Sequence, residues 1–469
     1  MRENIHLFYT NDLHSHFEHW ARIVHFFKEN KTKIVNRKES CFLFDIGDHM
    51  DRVSPIAEAF MGKANVELLN AAEYDVVTLG NNEGITLSHD DLYHLYDDAN
   101  FSVVCSNMHN LIDEQPPWLK ISTQLISENG VRIAVLGLTA PYSAYYQLLG
   151  WQVDFPQETL ERHLAVVKKD ADIIILLSHL GLNEDRQIAM NHSEIDIIIG
   201  GHTHHLLRTG EMVEETLLTA AGKNGEFVGN VLLTWDHTNQ KLINKEAYAI
   251  NIAHLPKDEK TVEKLSSLQQ EANTILSVPV VHTEESLAVD WSKGTPIIKS
   301  LTETLKEWTK ADCAMLNTGL LLESFPSGTV SYEDVHRICP HPINPCVVEL
   351  DGDELMEVIR SSYTSAFTEF ALKGFGFRGK KLGKMVFSGL EIETIDYGNH
   401  ESIKRVLWNG EPLQKERTYS VATADMFTFG RLLPEISRSE SKIYYLPEFI
   451  RDLLVLTLKK MYEDDEVKK

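Results

Sequence analysis

The chain has 469 residues, too many for one hydrophobic core, so two or three domains are expected. Hydrophobic residues at 43% and charged residues at 24% describe an ordinary globular chain. A formal net charge of -24 repels nucleic acid and anionic membranes, which argues against either as a partner. The five cysteines, Cys41, Cys105, Cys313, Cys339 and Cys346, form no CxxC pair, and most sit in apolar runs. They read as buried small hydrophobes in a reducing compartment. The N-terminus MRENIHLFYTND enters a strand pattern by Ile5 without an apolar leader segment, and no run of about 18 apolar residues occurs. A cytoplasmic location is expected.

The first half alternates short β-branched runs with amphipathic stretches. The runs are Ile5–Thr10, Cys41–Ile46, Asp75–Leu79, Phe101–Ser106, Val131–Leu138, Asp172–Ser178 and Ile195–Ile199. Between two of them, Pro55 to Ala72 carries apolar residues at near-helical spacing and predicts one helix. Such alternation reads as α/β layers around a sheet. After His205 the runs Thr216–Ala221, Phe227–Trp235 and Ala247–Ile252 follow closely and read as a β meander. A linker helix lies between Pro256 and Pro279, with Val262, Leu265, Leu268, Ala272 and Leu276 on one face. Thr295 and Pro296 then resemble the N-cap and first residue of a helix through Trp308. Strands at Val347–Leu350, Met385–Ile395 and Thr418–Ala422 mix with helices such as Glu354–Tyr363. The expected division is a first domain over 1–255, a linker helix over 256–279, and a smaller mixed α/β domain over 280–469.

Five segments place metal-type side chains directly after strand signals. They are Asp12-Leu13-His14, Gly47-Asp48, Gly80-Asn81, Ser178-His179 and Gly200-Gly201-His202-Thr203-His204. Side chains two apart on an extended chain share a face. Strands ending at one edge of an α/β sheet deliver these residues to one crevice. The converged set is Asp12, His14, Asp48, Asn81, His179, His202 and His204. Sharing one carboxylate yields two four-ligand sites without a thiolate. Mixed imidazole and carboxylate ligation suits Mn, Zn, Fe, Co or Ni better than Mg or Ca. Two divalent ions about 3.5–4 Å apart can clamp a phosphoryl group and activate a bridging water.

The ordered motifs NDLHSH, GDHMD, GNNEG, SHLG and GGHTHH resemble the calcineurin-like metallophosphoesterases. They are most similar to the 5'-nucleotidase branch, including its bacterial bifunctional nucleotidase and cyclic-phosphodiesterase type. The similarity continues in AAGKNGEFVGN, NTGLLLESFPSGTVSYEDV and VVELDGDEL, so it spans nearly the whole chain. It implies an α/β (α+β) architecture: a four-layer α/β/β/α metallophosphoesterase domain, a linker helix and a C-terminal 5'-nucleotidase-type domain. It also implies that Asp12, His14, Asp48 and His204 hold one metal, and that Asp48, Asn81, His179 and His202 hold the other. A metal-bound water would attack phosphorus. The C-terminal domain would supply the nucleoside pocket.

Several positions depart from that branch. Its GNHE segment is here Gly80-Asn81-Asn82-Glu83, so Asn82 replaces the catalytic His, and Ile85 replaces the Asp that orients it. An amide can donate a hydrogen bond but cannot transfer a proton at neutral pH. His49 and His89 are candidate replacements, and Arg52 is a candidate phosphate contact. Leu322 replaces an Arg that contacts substrate in the branch, and Cys339-Pro340-His341 replaces its LPF motif. Phe375, Phe377, Arg378 and Lys380, with Phe427 and Phe429, offer aromatics and cations that could sandwich a base. The expected activity is a two-metal phosphoesterase acting on a nucleotide or a related small phosphate ester. Two other readings stay open: a phosphodiesterase or pyrophosphohydrolase on cyclic nucleotides, dinucleotides or nucleotide sugars, and a nucleotide-binding protein without turnover.

Overall fold

The structure is a computed structural model that describes residues 1–397 and 401–466. It divides into two compact units, Met1–Ala272 and Asn273–Lys469.

The first unit is built on two facing sheets. One has the spatial order Lys241–Asn251, Phe227–Asp236, Arg2–Thr10, Ser40–Asp45, Val76–Val77, Ser102–Val104 and Leu119–Lys120. The five strands from Arg2–Thr10 onward run parallel, and the hairpin 227–251 closes the other edge antiparallel. The second sheet has the order Glu211–Val213, Thr216–Thr219, Ile197–Gly200, Ile173–His179, Arg132–Thr139 and Ser122–Ile126. Its four central strands are parallel.

Both faces of the central strands are apolar, as buried parallel strands require. Ile5, Leu7 and Tyr9 meet Val135, Ile175 and Ile199 between the sheets. Phe8, Leu43 and Val77 point the other way, onto helices Trp20–Asn36 and Lys63–Ala71. On the far side, Leu136, Leu176 and Ile198 meet helices Pro156–Val167 and Leu182–Asn191. The result is the four-layer α/β/β/α arrangement that the resemblance implies. Helix Glu259–Leu276 packs Leu265, Leu268 and Ala272 into the first unit's core.

Two expectations need correction. The helix expected over Pro55 to Ala72 is two helices, Pro55–Phe60 and Lys63–Ala71. Met61 and Gly62 between them are left-handed at φ 46° and 82°, and a Cβ on Gly62 would overlap the Met50 sulfur. The expected meander is also divided. Thr216–Thr219 joins the second sheet beside Ile197–Gly200, while Phe227–Asp236 and Lys241–Asn251 form a hairpin on the first. Short β-branched runs do not encode which sheet they enter.

The second unit centres on a mixed sheet with the order Met385–Ser388, Cys313–Asn317, Thr418–Ala424, Pro345–Asp351 and Lys442–Tyr444. Helices Pro296–Thr309, Gly352–Ser362 and Ile450–Glu466 cover it. Thr295 occupies the N-cap position of the first of these without a side-chain capping bond, with Pro296 at its first position. The expected strand Met385–Ile395 is two strands, Met385–Ser388 and Glu391–Asp396, with Gly389 at φ 80° between them. All five cysteines are free thiols. Among the described residues no helix is long and apolar enough to cross a membrane.

One buried polar contact ties the two sheets of the first unit together: Tyr9 Oη and Thr219 Oγ1 lie 2.6 Å apart. Tyr9→Phe leaves the Thr219 hydroxyl buried without that partner. We expect a loss of about 1–2 kcal/mol, read as a lower denaturant midpoint at unchanged slope.

Candidate metal centre

Each expected ligand in the first unit follows the C-terminal end of a strand or its continuation. The paired strands Arg2–Thr10 and Ser40–Asp45 carry on side by side past the sheet. Asp12 N donates to Gly47 O at 3.1 Å, His14 N to Asp48 O at 2.8 Å, and Ser15 N to His49 O at 2.9 Å. In the second sheet, Ser178 stands opposite Gly200, which aligns the His179 and His202 loops. Space is tight: a Cβ on Gly80 would overlap Asp48 Oδ1. Asp12, His14, Asp48, His202 and His204 all have positive φ, between 49° and 69°. Asp and His tolerate this region better than most residues. Even so, each such residue costs about 1–3 kcal/mol.

The side chains converge. Asp12 Oδ1 lies 3.4 Å from His204 Nε2, 3.8 Å from His14 Nε2 and 4.0 Å from His179 Nε2. Asp48 turns its two oxygens to different imidazoles: Oδ1 is 3.4 Å from His179 Nε2, and Oδ2 is 3.9 Å from His14 Nε2. His14 and His204 bring their Nε2 atoms within 3.0 Å. Two groups have the spacing of a cation site, Asp12–His14–His204 and Asp12–Asp48–His179. The rings of His179 and His202 are 5.2 Å apart. Asn81 Oδ1 and His179 Nε2 are buried and make no hydrogen bond. Such orphaned acceptor atoms among carboxylates fit a divalent cation.

Neighbouring groups set the orientation. His179 Nδ1 donates to Ile46 O at 2.7 Å, which turns Nε2 toward the carboxylates and makes it the atom a metal would take once its proton is lost. Asp51 Oδ2 lies 3.6 Å from His14 Nδ1. Asn11 Nδ2 donates to Asp12 Oδ2 and to Gly222 O, both at 2.7 Å, and its Oδ1 accepts from Ala221 N at 3.0 Å. Glu83 accepts three backbone N–H groups, those of Asp48, Met50 and Gly80, each at 2.9 Å. It thereby ties the Asp48 and Asn81 loops together.

Burial opposes charge on Asp48, but His179, His14 and the Asn82 amide outweigh it and hold the carboxyl below the usual range. Burial likewise opposes an imidazolium at His179, yet Asp48 and Asp12 push it up to about 10. His202 goes the other way, to about 4, through burial and then the charge of His179.

Asn82 lies beside the centre with its amide committed. Its Nδ2 donates to Met50 O at 3.0 Å and stands 3.1 Å from His14 Nδ1, while its backbone N donates to Asp48 Oδ1 at 2.7 Å. The two candidate replacement histidines are packed against tryptophan rings. Burial pushes His49 down to about 3, and it packs edge-on to Trp20. His89 stacks on Trp151 and contacts Asn110. Arg52 is buried against Glu58 and Thr86 O, which corrects its reading as a phosphate contact.

In the second unit, Phe377 and Phe427 are 3% and 0% exposed, so neither ring has a free face for a base. Phe377 stacks on His341, and Phe427 on Phe367. Both were expected to bind substrate; both are core. Phe429 is half-buried and lies parallel to Phe375, centroids 5.8 Å apart, and Phe375 is 48% exposed. Arg378 is exposed, and its backbone N donates to His341 Nδ1. Sequence reasoning missed Asn11, Asp51, Glu83 and Tyr142, whose Oη lies 3.3 Å from His202 Nε2. Asn11, Asp51 and Glu83 lie within three residues of an expected ligand. That proximity is a weak signal, and Tyr142 had none.

Fold and site together define a metal-dependent phosphoester hydrolase. Residues 5–206 match the calcineurin-like phosphoesterase family and residues 274–431 the 5'-nucleotidase C-terminal domain. The chain is 42% identical over 461 residues to an uncharacterized metallophosphoesterase, YunD, of Bacillus subtilis, covering 98% of this chain and 100% of that one. It is 21% identical over 380 residues to a 5'-nucleotidase of Vibrio cholerae, covering 68% of each. Its fold resembles a 5'-nucleotidase precursor of Thermus thermophilus (TM-score 0.61, 19% identity, 98% and 97% covered). It also resembles the NAD nucleotidase of Haemophilus influenzae (TM-score 0.67, 15% identity, 98% and 97% covered). The chain belongs to the calcineurin-like phosphoesterases, in the branch that carries a 5'-nucleotidase C-terminal domain. That family uses divalent metal ions.

Glu83→Gln tests the strut between the loops. An amide offers one acceptor oxygen where the carboxylate has two, so a backbone N–H is left facing an NH2. A stability loss of about 1–3 kcal/mol is expected, measured by thermal or denaturant unfolding. An unchanged midpoint would contradict the strut.

Proposed function

We propose that the first unit holds two divalent ions. One lies among Asp12, His14, Asp48 and His204, the other among Asp48, Asn81, His179 and His202. The observation that carries this reading is Asp48, whose two oxygens face His179 and His14 separately, as a bridging carboxylate must. The buried, unpaired Asn81 Oδ1 and His179 Nε2 support it. Ions in this donor set, which suits Mn, Zn, Fe, Co or Ni, would neutralise phosphoryl charge and activate water. The chain's own groups hold that geometry: Glu83 fixes the loops, the Ile46 carbonyl sets the His179 tautomer, and Asn11 orients Asp12.

The reaction is hydrolysis of a small phosphate ester, with a nucleotide as the favoured class. The 5'-nucleotidase C-terminal domain and the relatives named 5'-nucleotidase support that substrate. The parallel pair Phe375 and Phe429, with Arg378 nearby in sequence, is the remaining candidate surface for a base. A second reading rests on Asn82. Its amide cannot transfer a proton, which favours an ester with a good leaving group, such as a cyclic nucleotide, a dinucleotide or a nucleotide sugar.

Metal-reconstituted protein should hydrolyse nucleoside monophosphates, cyclic nucleotides, dinucleotides or an aryl phosphate, and chelation should abolish turnover. Tight nucleotide binding with no turnover on any of them would establish a binding protein instead. Asp48→Asn should reduce bound metal, measured by elemental analysis, and lower kcat at least about 100-fold. Asn82→His should raise the monoester rate about tenfold or more while leaving diester rates level; equal gains on both would remove the leaving-group argument.

Metal uptake should depend on pH. His179, pushed up to about 10, carries its proton at neutral pH and must lose it to become a ligand. Affinity for Mn2+ should therefore rise about tenfold per pH unit between neutrality and that value. Calorimetry in buffers of different ionisation enthalpy should show proton release. Uptake without proton release would remove His179 from the ligand set.

A further inference from the structure

The position that carries the catalytic His in the resembling branch offers no donor here. Asn82 Nδ2 is committed to Met50 O and faces His14 Nδ1. A phosphoryl group on two cations still accumulates charge on its outer oxygens in the transition state, where a fixed donor is most effective. The strand Arg132–Thr139 supplies a group that can serve. It lies parallel to Ile173–His179, with Thr139 opposite His179, so its C-terminal end opens on the same edge. Three residues beyond Thr139 stands Tyr142.

The Tyr142 hydroxyl is 3.3 Å from His202 Nε2, and the two rings meet edge-on with centroids 6.0 Å apart. With Nε2 engaged there, His202 has Nδ1 left as its metal-binding atom. A metal on Nδ1 requires the proton on Nε2, which then donates to the Tyr142 oxygen. That bond turns the phenol's own hydrogen away from His202. Tyr142 is half-buried rather than sealed in the core. A phenol is protonated at neutral pH.

The geometry points to Tyr142 as a catalytic residue: its hydroxyl, oriented by His202, donates a hydrogen bond to an oxygen of the phosphoryl group undergoing hydrolysis. No proton is transferred. The hydroxyl stabilises charge, so its contribution does not depend on the basicity of the leaving group. This inference rests on the two-metal reading, with His202 as a ligand through Nδ1.

The test is Tyr142→Phe, which keeps the ring and removes the hydroxyl. Bound metal per chain should equal that of the wild type. With Mn2+-loaded protein, kcat should fall about 100-fold on both an aryl phosphate and a nucleoside monophosphate, with KM nearly level. Orthovanadate, whose five-coordinate form resembles the transition state, should bind correspondingly more weakly by calorimetry, while inorganic phosphate is little affected. Three results would overturn the inference: unchanged kcat, a loss confined to the poor leaving group, or a fall in bound metal with parallel weakening of phosphate and vanadate. The last would mean that Tyr142 only positions His202. A wild-type chain that binds two ions but turns nothing over would sink the proposed hydrolysis, while the vanadate comparison would still report on the hydroxyl.

Discussion

Two carboxylates and an imidazole share one water-poor space: Asp12 at 0%, Asp48 at 3% and His179 at 0% exposure. Burying like charges together costs several kcal/mol unless cations or protons compensate. Here burial opposes charge, yet the neighbouring imidazoles hold both carboxyls below the usual range and the carboxylates push His179 up to about 10. On the two-metal proposal, a cation at the same place would supply more positive charge and displace a proton from His179. The surrounding structure bears the cost of that concentration of charge. Left-handed backbone at five candidate ligands, a glycine with no room for a Cβ, and a buried glutamate clamped by three amides all serve to hold it.

The four-layer fold makes such strain sustainable. Central strands with apolar residues on both faces are locked between the opposing sheet and a helix layer, so their ends are rigid platforms. The loops leaving Thr10 and Asp45 run hydrogen-bonded to each other well past the sheet. A strained residue persists only where its surroundings over-determine it. The positions of Asp12, His14 and Asp48 are over-determined in that sense: paired backbones and positive φ fix where each side chain leaves the chain.

Much of this was legible in the chain because the physics is local. A strand-like run followed closely by a metal-type side chain, with glycine before it in three of five cases, is a short-range pattern, and its five occurrences placed Asp12, Asp48, Asn81, His179 and His202 together. What was not legible depends on distant packing. Nothing near Thr216 shows that it pairs with Ile195's strand end rather than with Phe227. A phenylalanine in a loop-like segment looks the same whether exposed or not, so Phe377 and Phe427 passed for base-stacking residues, although the second unit's core claims both. Arg52 beside Asp48 looked like a phosphate contact until Glu58 was seen to hold it.

Asn82 shows how one substitution alters the economy of a site without dismantling it. The asparagine uses its amide to brace Met50 O and the His14 ring. The metal-type residues are therefore better supported, and the proton donor is gone. On the proposed reading, chemistry at such a centre depends on charge stabilisation more than on proton transfer, which would weight it toward esters whose leaving oxygen is already acidic. A neutral phenol beside His202 meets that requirement: it adds a donor without adding a proton to the balance. The loss at Asn82 and the hydroxyl at Tyr142 are thus compatible parts of one electrostatic design within the first unit.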